Sequence, residues 1–431
     1  DGVSVVPMYR VPVQPAASLG DWIAANLCTS SQFPRVNYPL GNSFAHPLIP
    51  SKNIAVSSPI NAAQKLLDHS YLMNAALWDN CYFSSATDYN APMIAAKRPR
   101  NQVMLDFFRL AKPLLNNRLA PILGEESATQ LATRVAAMSP KDQARQFGRY
   151  AMIKSPFNVN TDSVSVWRTI LSSLRDYGVA GWNNTTFGNP YKTPYPRFGI
   201  PVVGSSDDAN PNNTVNALGQ MRWAGYRSLT DPQIEALATK IVEEIRLRAN
   251  TDKAPCLSLA DFINRRVGNP GELHALKGIL QTAIDNSGVN AANHLKDSKN
   301  NVVPPPERRL GVPNTDALLG KTADGAPSIL TQGDLLTALA PIISVRGDTF
   351  TVRAYGEARS SDGGTVLAKA WCEATVQRTV QYLDPANAPQ DKDFSTSPIG
   401  NQGLKDLTPT NKWFGRRFVV TAFRWLAPSD V

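Results

Sequence analysis

The sequence predicts an α+β protein: a multi-helix region with long loops, followed by a C-terminal antiparallel sheet module with a packed helix. Three observations carry this expectation. Apolar residues recur at helical spacing through the middle of the chain, most regularly at Ile234, Leu237, Ala238, Ile241, Val242 and Ile245. Capping residues and prolines cut that region into short pieces. Beyond residue 348 the period changes to strict alternation, as a half-buried strand requires.

Residues 1–60 carry Pro7, Pro12, Pro15, Pro34, Pro39, Pro47 and Pro50. Each fixes φ and lacks an N–H, so long regular elements are excluded. The segment is expected to wrap the rest of the chain in extended form, with one short helix at Leu19–Leu27 capped by Ser18.

Residues 61–296 read as mainly helical. A helix over Leu66–Asn80 shows Leu67, Tyr71, Asn74, Leu77 and Trp78 as a stripe, and Val103, Phe107, Leu110 and Ala111 form a second stripe that Pro113 stops. Helices follow at Glu125–Met138, after the cap Ser139-Pro140, and at Ser163–Tyr177. Asn-Pro, Gly-Asn and Pro-Asn-Asn turn signals make 178–228 a loop-rich insertion. Thr230-Asp231-Pro232-Gln233 is a capping box that opens the most regular helix. Ser258 caps the next, and Pro270–Asn286 is another. Residues 297–330 form a Pro-rich linker in which Pro304-Pro305-Pro306 favours polyproline II.

The last module is 331–431. Thr331-Gln332-Gly333-Asp334 caps a helix that Pro341 ends, expected to lie across a sheet of 349–358, 365–382 and 416–426. Phe350, Val352 and Ala354 share one side of the first strand, and Ser361-Asp362-Gly363-Gly364 forms the hairpin turn. In the second strand Val366, Ala368, Ala370, Cys372, Ala374 and Val376 share a face expected to be buried, with Lys369, Glu373 and Gln377 opposite. Phe418–Leu426 is apolar on both sides and suits a central strand.

Composition narrows the function classes. A hydrophobic share of 42% excludes a disordered chain. No apolar run approaches the ~18 residues of a membrane span. The chain opens Asp1-Gly2-Val3, so we expect a piece of a longer protein, with membrane attachment only through a missing N-terminal segment. Lys and Arg outnumber Asp and Glu by 44 to 35, a net charge of +9. The basic clusters Lys97-Arg98-Pro99-Arg100, Arg265-Arg266, Arg308-Arg309 and Arg416-Arg417 are scattered, not gathered with stacking aromatics, so no nucleic-acid partner is expected. Cys28, Cys81, Cys256 and Cys372 lack zinc or redox spacing and read as small, mostly buried thiols, their disulfide state open.

No catalytic constellation emerges. Gly320-Lys321-Thr322 copies the tail of a phosphate-binding loop, but Thr315 stands where its first glycine belongs. Asp208, Asn210 and Asn212 occupy calcium-loop positions one, three and five, while Asn213 and Gly219 fail positions six and twelve; they are a weak metal candidate. The expectation is a non-enzymatic protein with no cofactor.

Several strings nevertheless occur together in a telling order: Tyr9-Arg10-Val11-Pro12, Gly41-Asn42-Ser43-Phe44-Ala45, the stretch from Ser70 to Asp79, Phe157-Asn158-Val159-Asn160, the stretch from Ser258 to Arg266, Gly347 to Ala358, Ala370 to Arg378, and Phe414-Gly415-Arg416-Arg417-Phe418. The set resembles the Verru_Chthon cassette protein A family, large bacterial surface proteins encoded beside pilin-like proteins. Phe157-Asn158-Val159-Asn160-Thr161 before a helix, with the later Asp348-Thr349-Phe350 strand, is more faintly similar to the large minor pseudopilin of type II secretion. The resemblance implies an extracytoplasmic structural protein of a pilus-like or secretion-linked assembly at the bacterial cell surface or periplasm. Its partners would be pilin-like proteins or copies of itself, and the family supplies no catalytic residues. The N-terminal arm, through Val3, Val5, Tyr9 and Val11, is the interface candidate, able to add a strand to a neighbour's sheet edge. The alternative is a surface adhesin or glycan-binding module using exposed aromatics; a hydrolase is the weaker third reading.

Overall fold

The longest helix sets the frame. In this computed structural model Thr230 closes the expected capping box, its Oγ1 accepting from the Gln233 N–H and its own N–H donating to Gln233 Oε1 at 3.0 Å. The helix it starts runs over Asp231–Asp252, and its apolar stripe is buried. The structure describes residues 15–23, 40–58, 61–81, 83–89, 98–123, 126–154, 156–176, 178–182, 187–192, 194–197, 225–269, 272, 274–293, 311–318, 329–393 and 405–430.

The helices, in chain order, are α1 (His69–Leu77), α2 (Arg100–Phe108), α3 (Ala128–Ala136), α4 (Pro140–Phe147), α5 (Val164–Ser173), α6 (Asp231–Asp252), α7 (Leu259–Ile263), α8 (Ile279–Ser287), α9 (Gln332–Leu339) and α10 (Pro409–Phe414). The strands are β1 (Ala55–Ser57), β2 (Lys65–Leu67), β3 (Leu119–Pro121), β4 (Ala151–Ile153), β5 (Phe157–Asn158), β6 (Gly178–Trp182), β7 (Phe187–Lys192), β8 (Ile343–Ser344), β9 (Thr349–Arg359), β10 (Val366–Tyr382) and β11 (Arg416–Leu426). With helices throughout and an antiparallel C-terminal sheet, the class is α+β.

The chain divides into two units. The first comprises 1–99, 114–118 and 157–345. Here α6 packs against α5 and α8. Trp167 is fully buried, stacked on Phe262 at 6.2 Å and edge-on to Phe157 at 4.7 Å. β5 pairs in parallel with β8, a contact between two-residue strands that no local pattern marks.

Polar side chains stitch this core. Asp68 and Arg265 form an ion pair at 3.1 Å with both side chains almost wholly buried, and the guanidinium also donates to the Ser51 and Asn53 carbonyls. Asn74 accepts from the Gly41 N–H and donates to the Asn42 carbonyl and Asn264 Oδ1. Gln281 and Gln332 exchange backbone-to-amide hydrogen bonds in both directions, at 3.2 and 3.0 Å. His274 Nε2 lies 2.9 Å from Glu244 Oε2, also buried.

Several boundaries differ from expectation. Leu66 and Leu67 are strand, paired with Val56 and Ala55, because Asp68 accepts from the Tyr71 N–H and starts α1 only at His69. Leu110 takes a positive φ of 57° and lies exposed beyond the end of α2, so it leaves the predicted stripe. α8 starts at Ile279, not near Pro270, at the point where a Cβ on Gly278 would meet the Ile263 carbonyl oxygen at 2.1 Å. The insertion at 178–228 holds a hairpin, β6–β7, whose Gly and Pro content masks its strands. The short turn after Ser18 is described over Leu19–Trp22.

The second unit comprises 100–113, 119–156 and 346–431. Phe107, Phe108, Phe147 and Tyr150 form its aromatic cluster, with centroids 5.2 to 6.4 Å apart. Its sheet has the order β11-β10-β9, all antiparallel. The strand predicted as central, β11, is therefore an edge; the 17-residue β10 is long enough to pair on both sides. The helix predicted to cover the sheet does not belong to this unit. Leu335, Leu336 and Leu339 of α9 are buried in the helical core of the first unit, so the sheet module begins at Arg346 instead of 331.

Candidate functional site

The sheet presents two faces of opposite character. Register places Phe350, Val352, Ala354, Gly356 and Ala358 of β9 beside Val376, Ala374, Cys372, Ala370 and Ala368 of β10. On the other side Trp425 lies opposite Cys372, Phe423 opposite Ala374, and Val420 opposite Val376. A bulge at Thr421 keeps Val420 and Phe418 on this same face, since two residues of β11 there oppose one of β10. Phe418 and Phe350 contact each other at 6.0 Å.

This is the face expected to be buried, and here the expectation fails. Ala370 is exposed, Ala374 and Val376 are half-buried, Trp425 is 70% exposed and Phe423 55%, while a bulge before Ala368 sets half-buried Val366 opposite Arg359, off this face. The register follows the alternation, but α9 packs in the helical core of the first unit and the apolar face meets solvent. Soluble monomers rarely leave so continuous an apolar surface open.

The opposite face is a charged ladder. Glu373, central on β10, lies between Arg353 of β9 at 2.7 Å and Arg424 of β11 at 2.9 Å. Hydrogen bonds from Arg353 and then Arg424 hold its carboxyl below the usual carboxylate range. Glu357 is lowered in the same way by Tyr355 and Arg359. Tyr355 also packs against Trp371 at 5.3 Å.

One end of the sheet is firmly anchored. The Tyr382 hydroxyl donates to the Asp391 carbonyl at 2.7 Å, and the Arg416 guanidinium sits 3.8 Å over the Tyr382 ring. Buried Asn411 donates to the Asp384 carbonyl and to Asn387 Oδ1. Burial raises the Tyr382 phenol and lowers the Arg416 guanidinium. The sheet is thus held rigid at its base while its apolar face stays open.

The remaining candidates give less. Val3, Val5, Tyr9 and Val11, and the calcium-loop residues Asp208, Asn210 and Asn212, lie outside the described residues. Among the described residues no cluster of three metal-ligating side chains occurs, and no helix is long and apolar enough to cross a membrane. An open cleft between α5 and α6 is lined by Arg168, Arg175, Asp231 and Glu235, but its arginines are paired with its acids. Cys81, Cys256 and Cys372 are free thiols; burial pushes the Cys256 thiol up to about 11, where it is inert. Cys372, by contrast, lies in the middle of the open apolar face.

No protein-family model, curated protein or solved structure matches the chain.

Proposed function

We propose that the chain is a non-enzymatic structural protein that acts by docking the open face of its β9–β11 sheet onto another protein surface. The observation that carries this reading is a three-stranded sheet with an apolar, aromatic face in solvent and an ion-pair ladder behind it. Three strands with both faces wet are marginal alone, so the open face gains most from a partner. The setting that best agrees with the sequence resemblance is an extracytoplasmic pilus-like or secretion-linked assembly of a bacterial cell surface.

A photo-crosslinking amino acid placed at Val352 or Phe423 tests the reading in producing cells, with Glu373 as the control on the opposite face. Adducts should form from the first two positions and not from the third. Equal labelling from both faces, or none from either, would remove the face from the function. Protease access in spheroplasts checks the extracytoplasmic setting.

A further inference from the structure

We infer that the occupant of the apolar sheet face is a second copy of this chain, packed face to face as a two-fold sandwich. The inference rests on the docking reading above and names its partner. Three features of the face select a copy over a foreign surface.

The first is charge. On a chain of net charge +9, the face offers an acidic partner nothing to recognise. Its one guanidinium, Arg378, is already answered by Asp348, which accepts from its Nε at 2.7 Å. Electrostatic choice of a partner needs opposed charges across the contact, and they are absent here.

The second is shape. One end of the face is small: Ala358, Gly356, Ala368 and Ala370. The other end is bulky, with Phe350 packed against Phe418 beside Val376 and Val420. A two-fold axis lying in the interface, crossing β10 between Cys372 and Ala374, reverses the strand direction of the second copy. It sets the small end of each sheet against the bulky end of the other, with Gly356 under Phe350 and Ala370 under Val376. A patch complementary to itself under a two-fold rotation is what an isologous dimer requires.

The third is size. At ~4.8 Å between strands and ~3.3 Å per residue, the overlap, two strands wide except near the axis because β11 pairs no further than Trp371, covers roughly 400 Å². Two such faces bury ~800 Å² in projection, and interdigitation of Phe350 and Phe423 carries this toward the ~1,000 Å² at which a specific interface begins. Aligned sheets with alternating inner faces are a standard sandwich core.

Cys372 lies one position from the proposed axis, so the contact can be read chemically. The test treats the full chain with a short bis-maleimide, maps the linked peptides by mass spectrometry, and measures mass by sedimentation. The expected result is a dimer whose cross-links join Cys372 to Cys372. Phe423→Glu should raise the dissociation constant at least 100-fold. Ala370→Glu should do the same; its site is exposed in the single chain, so it does not challenge folding. A monomer with a reactive Cys372 would overturn the second copy but leave the docking reading standing. A monomer with a protected Cys372 would mean the chain covers its own face and would overturn both. A dimer indifferent to both substitutions would place its contact elsewhere and overturn the inference.

Discussion

The helical core of the first unit and the sheet of the second use polar groups in opposite ways. In the core, Asn74, Arg265, Gln281 and Gln332 are buried and bonded to backbone atoms from distant parts of the chain, and buried Asp68 pairs with the Arg265 side chain. There they fix which segments meet, since an unmatched partner would leave a buried polar group unsatisfied. In the sheet, Arg353, Glu373 and Arg424 lie on a solvent face and hold three adjacent strands in register, while the apolar side chains stand in water. The first region buries its apolar side chains; the second leaves part of its own in water.

Breaking the core pair should have the largest effect. Asp68→Ala leaves the Arg265 cation buried without its carboxylate, and a loss of ~3–5 kcal/mol is expected in urea unfolding. A loss below ~1 kcal/mol would show that the backbone carbonyls alone satisfy Arg265. Leu237→Ala, at a fully buried position on α6, should cost ~2–5 kcal/mol by the same measurement. Thr230→Ala removes the α6 cap and should cost ~1 kcal/mol, with Ser at the same position restoring most of it. Phe423→Ala on the open face should change the stability of the isolated chain by no more than ~0.5 kcal/mol, although it deletes a larger side chain than Leu237→Ala. A large loss there would mean the face is covered within one chain. The smallest effect concerns acid. Because the Glu373 carboxyl is lowered in the folded chain, its contribution is present above the ordinary carboxylate range and is lost as pH falls through the lowered value. Amide exchange in β10 should accelerate in acid, and Glu373→Gln should flatten that dependence.

Much of this fold was legible in the chain, and the limits have physical causes. Capping boxes at Thr230 and Thr331 and the caps at Ser139 and Ser258 are local chemistry, so they marked α6, α9, α4 and α7 correctly. The alternation in β9 and β10 gave the correct side-chain faces. Periodicity states which face is apolar and not what covers it, so it does not show that α9 packs in the helical core instead of on the sheet. A sign was present: Leu335, Leu336 and Leu339 make a stripe too short to cover a 17-residue strand. The β5–β8 pairing was invisible because two-residue strands far apart in sequence carry no period at all. Three of the strings that carry the resemblance meet in the first unit: Asn74 donates to the Asn42 carbonyl and to Asn264 Oδ1, and the exposed Asp79 carboxylate accepts from the N–H groups of Leu259 and Ala260. Their polar residues hold segments together and perform no visible chemistry.

Gly20 lies so close to α9 that a Cβ there would meet the carbonyl oxygens of Leu336 and Thr337 at 2.8 Å. These partners are made about 300 residues apart, which at ~5–20 residues per second separates them by roughly 15–60 s of synthesis. The first turn of the described chain therefore waits, unseated, until nearly the whole first unit has left the ribosome. The sheet, with its bare apolar face, is made after the helical core. The helical core can therefore close on each nascent chain before its exposed apolar surface has been made.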